Sequence, residues 1–213
     1  MRHDAPENRK DAPESVFSIP EQFFKENPIP DMCMGRIQMF EMDILFNKDL
    51  RAEMEKAVKQ VSSEGRFCEI RADAALTEAA DTPEKIIERM RKGDISNREA
   101  VCAKALNMED DIMPEVIRLL KRSSYDNFIE TATLTLSRAK ECYIDRIIAE
   151  FDEIRSPYAM CSCCILLAFR NRFDALPIIM KAYQSLRKRK EESDRRCAEG
   201  ALYAIYTLTR HFS

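Results

Sequence analysis

The chain has 213 residues, of which 45% are hydrophobic and 33% are charged, and its formal net charge is −3 at pH 7. This length and apolar content suffice for one large hydrophobic core or for several stacked repeats. Only four glycines and two histidines are present. So few glycines disfavour a glycine-rich phosphate loop and a β-sandwich with many tight turns, and so few histidines disfavour Ser-His-Asp and Cys-His catalysis.

Charge and cysteine usage constrain the setting of the protein. Residues 1–81 carry a net charge of −6 and residues 82–213 a net charge of +3, which we interpret as ordinary solvated helix surface. The eight cysteines follow no secretory signal sequence. No apolar run reaches the ~18–20 residues that span a bilayer. The sequence therefore predicts a cytoplasmic protein with reduced cysteines.

The first 34 residues fall into two parts. Residues 1–15 are polar and contain Asp-Ala-Pro-Glu twice, which predicts a disordered tail. Residues 16–34 combine large apolar side chains with three prolines, which predicts an ordered loop with one helical turn near residues 20–26. We expect Phe23 and Phe24 to cover the exposed end of the first helices, because an end repeat otherwise leaves its inner face in water. Alternatively, these two phenylalanines form a docking motif.

Helical periodicity dominates the rest of the chain. Ile112, Val116, Leu119 and Leu120, for example, follow i, i+4, i+7, i+8 spacing. Comparable patterns predict helices at 35–46, 48–63, 67–80, 83–92, 97–108, 111–122, 127–138, 141–153, 157–170, 174–187 and 194–210.

Several helix ends carry recognisable signals. Thr82 and Ser156 each precede a proline, which favours a capping side chain before the first helical residue. Ser96 and Glu99 have the spacing of a capping box, in which each side chain bonds the other residue's backbone N–H. Gly93 is predicted to end the helix that begins after Thr82.

Equivalent positions recur about every 31 residues. Val101, Ala132 and Cys163 follow one another at intervals of 31, and Val116 and Ile147 are also 31 apart. The same interval thus occurs in both helices of each pair. A constant interval of this kind is typical of stacked antiparallel helix pairs, which bury their apolar faces only against neighbouring pairs.

These repeats resemble a known family. The second helix opens with Asp-x-x-Pro at Asp111–Pro114 and at Asp174–Pro177, and the first helix is rich in small residues, as in CSCCILLA and CAEGALYA. This pattern resembles HEAT-like repeats of the bilin-lyase type over about residues 66–211. The resemblance implies an all-α fold, a right-handed α-α superhelix of the HEAT/armadillo kind.

Two features depart from the family pattern. Asp145 stands where the other repeats have proline, and the glycine usual at the end of the small-residue helix is missing. We predict a single α-solenoid domain over residues 35–213, with the repeats clearest at 82–211.

The cysteine cluster Cys161, Cys163 and Cys164 is the sharpest local feature. Two thiolates on one helical face could form half of a soft-metal site, but no second Cys-x-x-Cys completes it. We interpret these cysteines as small residues where helices approach closely, and a metal or redox role stays open. We predict no catalytic residue, no metal and no cofactor.

A row of polar residues on the second helices is the candidate partner-binding surface: Arg118, Lys121, Arg122, Arg146, Lys181 and Gln184. In helical solenoids such rows line the concave face, where partners bind. The sequence therefore predicts a non-enzymatic scaffold that binds a protein or peptide. One alternative is a HEAT-like nucleic-acid-binding protein or a relative of the alkylpurine DNA glycosylases, which the small charge and the absence of tryptophan disfavour. A bilin lyase or its partner is another, and we expect no membrane partner.

Overall fold

The computed structural model describes residues 19–28 and 64–209. Within these two ranges the fold is all-α, as predicted, and contains no β-strand. The predicted tail at 1–15 and the predicted helices at 35–46 and 48–63 lie outside the described residues. The α-helices of the described ranges are α1 (Glu21–Glu26), α2 (Glu64–Glu78), α3 (Pro83–Lys92), α4 (Arg98–Asn107), α5 (Glu109–Leu120), α6 (Asp126–Leu136), α7 (Glu141–Ala149), α8 (Pro157–Phe169), α9 (Leu176–Arg187) and α10 (Glu192–Thr209).

Three short 3₁₀ turns adjoin these helices, at Ile95–Asn97, Phe151–Glu153 and Phe173–Ala175. The second turn corrects the prediction of one continuous helix over 141–153, because α7 ends at Ala149 and the chain then tightens into the turn. The short helix predicted near residues 20–26 is confirmed as α1.

Both predicted serine and threonine caps are present. The side chain of Thr82 accepts a hydrogen bond from the backbone N–H of Lys85 at 3.4 Å. The side chain of Ser156 accepts one from the N–H of Ala159, also at 3.4 Å. Each cap satisfies a backbone donor that the first turn of a helix leaves without a partner.

Gly93 ends α3, but not through a left-handed conformation. Its φ of −65° and ψ of 149° are open to any residue. A Cβ atom at this position would lie 2.6 Å from the carbonyl oxygen of Arg89, which is closer than real Cβ atoms come to backbone oxygen. Glycine is therefore required here by the close approach of the α3 backbone.

The predicted Ser96–Glu99 capping box is wrong. Ser96 lies in the 3₁₀ turn before α4, where Asp94 accepts hydrogen bonds from its N–H at 2.9 Å and from its hydroxyl at 2.7 Å. Glu99 instead binds the guanidinium of Arg138, which follows α6, with contacts of 2.5 and 3.1 Å. The neighbouring helix pair thus provides a charged partner that local spacing could not reveal.

Asn171 takes the place of the missing glycine after α8. It is the one described non-glycine residue with positive φ, at 54°. Its N–H donates to the carbonyl of Ala168, and the N–H of Arg172 donates to that of Leu167, both at 2.9 Å. Asparagine tolerates the left-handed conformation better than most residues, so the chain can reverse here without glycine.

The helices pack in two rows. In one row, α2, α4, α6, α8 and α10 each contact the next helix of the row; in the other, α3 contacts α5 and α5 contacts α7. The final helix α10 packs along both α8 and α9. One continuous hydrophobic core runs from Ile86 in α3 to Leu208 in α10 and includes Phe24 of α1.

The middle helix α6 is buried from Phe128 to Leu136 except at Glu130, and its threonines are compatible with that burial. Thr131, Thr133 and Thr135 are at most 3% exposed. Their hydroxyls donate to carbonyls four residues earlier in α6, at 2.7 to 2.8 Å, and so leave no buried donor unsatisfied. The sulfur of Cys102 in α4 contacts α6 and lies 3.2 Å from the hydroxyl of Thr135.

The described part of the N-terminal segment, α1 and the residues beside it, packs against α9 and α10. We expected residues 16–34 to cover the exposed end of the first helices, but the helices predicted at 35–46 and 48–63 lie outside the described residues. The ring of Phe24 lies edge-on to Tyr206 in α10, with ring centres 5.0 Å apart. Tyr183 and Tyr206 contact both the rings and the polar groups of the segment.

Candidate partner-binding surface

The six predicted surface residues divide into two groups. Arg118, Arg122, Lys181 and Gln184 are exposed, whereas Lys121 and Arg146 are half-buried. All six lie on or directly after the second helices α5, α7 and α9. The structure therefore locates them on the second-helix row, but it gives them different environments.

Lys121 is held between two helix pairs. Its Nζ contacts the carboxylate of Glu150 and lies 2.9 Å from that of Glu153, and its side chain is only 12% exposed. Arg146 joins the same group, with its Nε 2.7 Å from Glu150. The hydrogen bonds to Lys121 and then to Arg146 lower the pKa of Glu150, and the bond to Glu150 raises the pKa of Lys121. Lys121 therefore joins α5 to the turn after α7.

Two of the exposed cations also have carboxylate partners. Arg118 forms two 2.5 Å contacts with Glu115 one turn earlier in α5. Lys181 in α9 lies 2.6 Å from Asp152, in the 3₁₀ turn after α7. The surface thus carries charges of both signs, because carboxylates lie beside the predicted cations.

Arg122 and Gln184 differ from the other four. Their side chains are exposed and form no hydrogen bond or ion pair with any described residue. These two side chains can contact a partner without first breaking an interaction within the described parts of the chain.

The acidic members of this face were missed by sequence reasoning: Glu115, Glu150, Asp152 and Glu153. A signal was present, because Lys121 and Glu150 are 29 residues apart and Lys181 and Asp152 are also 29 apart. Both intervals are close to the repeat length. A search for opposite charges one repeat apart would have found these pairs.

Asp145, which replaces the expected proline of the repeat, belongs to a second ionic group. Arg172, in the turn between α8 and α9, lies 2.7 Å from Asp145 and 2.6 Å from Asp174. The hydrogen bond from Arg172 lowers the pKa of Asp174. Because Asp145 is on α7, this arginine connects two neighbouring helix pairs, which a proline could not do.

The cysteine cluster lies inside the protein. Cys161, Cys163 and Cys164 are each at most 4% exposed, where α8 packs between α6 and α10. Burial raises the pKa of Cys163 to about 12 and that of Cys164 well above its ordinary value. Both thiols are therefore protonated at neutral pH, which agrees with their interpretation as small packing residues.

This burial predicts a clear order of thiol reactivity. Under native conditions at neutral pH, N-ethylmaleimide is expected to modify Cys142, which is exposed on α7, and to leave Cys163 and Cys164 unmodified. The reason is that alkylation requires an accessible thiolate. Peptide mapping by mass spectrometry would measure each site, with the same reaction in denaturant as the control. Equal labelling of Cys142 and Cys163 in the folded protein would contradict the described packing.

No family model, curated protein or solved structure matches this chain. Among residues 19–28 and 64–209, no group of three or more His, Cys, Asp or Glu side chains is arranged to hold a metal ion. No helix in those ranges is both long enough and apolar enough to cross a membrane.

Proposed function

We propose that the helix pairs form a right-handed α-α superhelix, a solenoid of HEAT-like repeats, and that this solenoid is a non-enzymatic cytoplasmic scaffold that binds a protein or peptide. The observation that supports it is the spacing of the contacts between helix pairs. Side chains reach across to groups about one repeat away, along both rows of helices. A stack of similar units in a constant register has this property, since each unit contacts its neighbours in the same way.

The row of first helices supplies one set of these contacts. Arg98 in α4 lies 2.7 Å from Glu130 in α6, which is 32 residues later. The hydroxyl of Tyr158 in α8 donates to the same carboxylate at 2.8 Å, 28 residues further along. Three successive first helices are therefore joined through one glutamate.

The row of second helices supplies the other set. Lys140 and Tyr143, at the start of α7, lie 2.6 and 2.8 Å from the carboxylate of Asp110 at the start of α5. These intervals are 30 and 33 residues. The bonds to Lys140 and Tyr143 lower the pKa of Asp110, so the carboxylate is ionised at neutral pH.

The connection between helix ends repeats as well. Arg170, after α8, donates to the carbonyls of Ser137 and Ala139 at 2.9 and 3.2 Å. Lys104, near the end of α4, lies 2.9 Å from the carbonyl of Ala80. In both cases a cation donates to backbone carbonyls just beyond the C-terminal end of the preceding first helix. Positive charge is favoured at that end of a helix.

The mixed charge of the second-helix face favours a protein partner over nucleic acid. A protein that follows a phosphate backbone presents cations that are available to release counterions. Here Lys121, Arg118 and Lys181 each have a carboxylate partner within 3 Å. Interspersed charges are suited to a protein surface that carries the complementary pattern. On this basis Arg118, Arg122, Lys181 and Gln184 are the proposed partner contacts.

Charge reversal tests the proposed surface. The double substitution Arg118→Glu and Lys181→Glu is expected to weaken partner binding about tenfold or more, since rim charges govern association and complementarity. Wild-type and variant chains would serve as paired baits, with bound proteins measured by quantitative mass spectrometry and the affinity of a purified partner by calorimetry. Thermal melting would verify that the variant is folded.

A matched control is available on α10. Arg195→Glu with Arg196→Glu makes the same change in charge at two exposed positions of the first-helix row, and it should leave binding unchanged. Equal loss in both variants would contradict a specific second-helix surface. Binding of duplex DNA with a steep salt dependence would instead favour the nucleic-acid alternative.

A further inference from the structure

The N-terminal segment around α1 is held on α9 and α10 by a set of specific contacts. Asn27 is 9% exposed, and its side-chain oxygen accepts hydrogen bonds from the hydroxyl of Tyr183 at 2.8 Å and from Arg187 at 2.5 Å. Its side-chain amide donates to the carbonyl of Phe23 at 2.7 Å. Asn27 thus bonds the end of α1 through its side-chain nitrogen and binds α9 through its side-chain oxygen.

The surface also binds the backbone of the segment. The hydroxyl of Tyr206 lies 3.1 Å from the carbonyl oxygen of Asn27 and 3.3 Å from that of Phe24. These carbonyls belong to the end of a six-residue helix, where backbone acceptors have no partner within the helix. Burial raises the pKa of Tyr183 and of Tyr206, so both hydroxyls stay protonated donors at neutral pH.

Aromatic rings form the apolar part of the contact. Phe23 lies edge-on to Tyr183 with ring centres 5.8 Å apart, and Phe24 lies edge-on to Tyr206 at 5.0 Å. Edge-on pairs of this kind are a favoured geometry for aromatic rings. The guanidinium of Arg187 lies over the Tyr183 ring, 5.4 Å from its centre, and so is oriented toward Asn27.

These contacts have the composition of a peptide-binding site. The rings of Phe23 and Phe24 supply the apolar contacts. The side-chain oxygen of Asn27 accepts two hydrogen bonds, and the hydroxyl of Tyr206 donates to the backbone. An isolated helix of six residues is not stable in water, so its helical form depends on the surface that holds it. The residues that do the holding, Tyr183, Arg187 and Tyr206, all belong to the last two helices of the stack.

We propose that α9 and α10 form a recognition site for a short helical segment of the pattern Phe-Phe-x-x-Asn, filled in cis by Phe23, Phe24 and Asn27, and that the same segment of a second copy of this chain can occupy it in trans. We propose a second copy as the partner because it carries the same residues, Phe23, Phe24 and Asn27, that bind this surface in cis. The sequence places 35 residues, 29–63, between the segment and α2. A segment that belongs to the same chain competes with a free one for this surface.

A peptide of residues 19–28 tests recognition in trans. The full-length segment variant Phe23→Ala, Phe24→Ala, Asn27→Ala is expected to bind the fluorescein-labelled peptide at least about tenfold more tightly than the wild-type chain, because its own segment no longer competes. Fluorescence anisotropy would give both affinities. A peptide with the same three alanines is the control, and it should not bind. Should the triple variant fail to fold, Asn27→Ala alone, which keeps both rings, provides the same measurement.

The surface is tested by removing hydroxyls without removing rings. Adding Tyr183→Phe and Tyr206→Phe to the segment variant is expected to weaken peptide binding about tenfold, since both hydroxyl donors to the segment are lost. Tyr125→Phe, at an exposed tyrosine that is 57% accessible, is the matched control and should change nothing. Equal affinity for both peptides, or affinity unaffected by the two tyrosine changes, would overturn the proposed site.

A mixture of two full-length variants tests the second copy as occupant. The segment variant supplies an intact surface, and a chain with Tyr183→Phe and Tyr206→Phe supplies an intact segment. Size-exclusion chromatography with light scattering is expected to detect a species of two chains in the mixture that neither variant forms alone at the same concentration. A mixture that stays monomeric while the peptide still binds would overturn the second copy as the occupant. None of these variants changes Arg118, Arg122, Lys181 or Gln184. Failure of the proposed segment site would therefore leave the proposed partner-binding surface untouched, and the reverse also holds.

Discussion

Replacement of Glu130 by alanine is expected to lower the free energy of unfolding by about 3 kcal/mol, at the low end of the range for a broken buried ion pair. Arg98 is 6% exposed, and its Nη1 lies 2.7 Å from Glu130. Its Nε is already buried with no hydrogen-bond partner among the described residues. Loss of the carboxylate leaves a buried cation bound only to the side chain of Asn127, and it also removes the acceptor of the Tyr158 hydroxyl. Urea denaturation measures the change.

Two control variants separate charge from geometry. Glu130→Gln keeps an oxygen acceptor for Tyr158 but removes the charge, so its effect should be intermediate. Glu115→Ala removes an ion pair of similar length with exposed Arg118, and it should change stability little because exposed pairs are weak. If Glu130→Ala and Glu115→Ala had equal effects, the first helices would not be joined through Glu130.

Replacement of Phe128 by alanine is expected to lower the free energy of unfolding by about 3–5 kcal/mol, the usual cost of removing a buried phenylalanine ring. Phe128 is 1% exposed and belongs to the first turn of α6, the helix that lies at the centre of the described stack. Neighbours fixed on several helices cannot move far enough to fill the cavity. For a chain of this size, the melting temperature should fall by roughly 10 °C.

Phe169 provides the comparison for this cavity. It ends α8 and is 41% exposed, so Phe169→Ala removes the same ring from a site that is already open to water. Its effect on the melting temperature, measured by calorimetry, should be less than half of that for Phe128→Ala. Similar effects would mean that α6 is not the buried centre of the stack.

Sequence periodicity predicted the helices well because their order is local. Apolar spacing located every described helix from α2 to α10, and Thr82 and Ser156 were identified as caps from the prolines that follow them. The predicted capping box failed because a residue distant in sequence binds the capping side chain. Glu99 has the spacing of a capping residue, but Arg138, 39 residues later, binds it instead.

The candidate surface was predicted only in part for the same reason. Second-helix position identified Arg118, Arg122, Lys181 and Gln184 as exposed. The pattern could not indicate that Lys121 and Arg146 share the carboxylate of Glu150, since this depends on how α5 and α7 meet. Helical spacing determines which side of a helix a residue occupies, and packing determines what that side contacts.

The sequence by itself determined that the described chain is all-α, because helix formation and capping depend on neighbours within a few positions. Tertiary structure alone decided that Phe23, Phe24 and Asn27 pack against Tyr183 and Tyr206, more than 150 residues later. Phenylalanines before a helical stack can cover any apolar end of it. The contacts of this segment come from Tyr183 in α9 and from Tyr206 in α10, so they exist together only once these two helices are packed against each other.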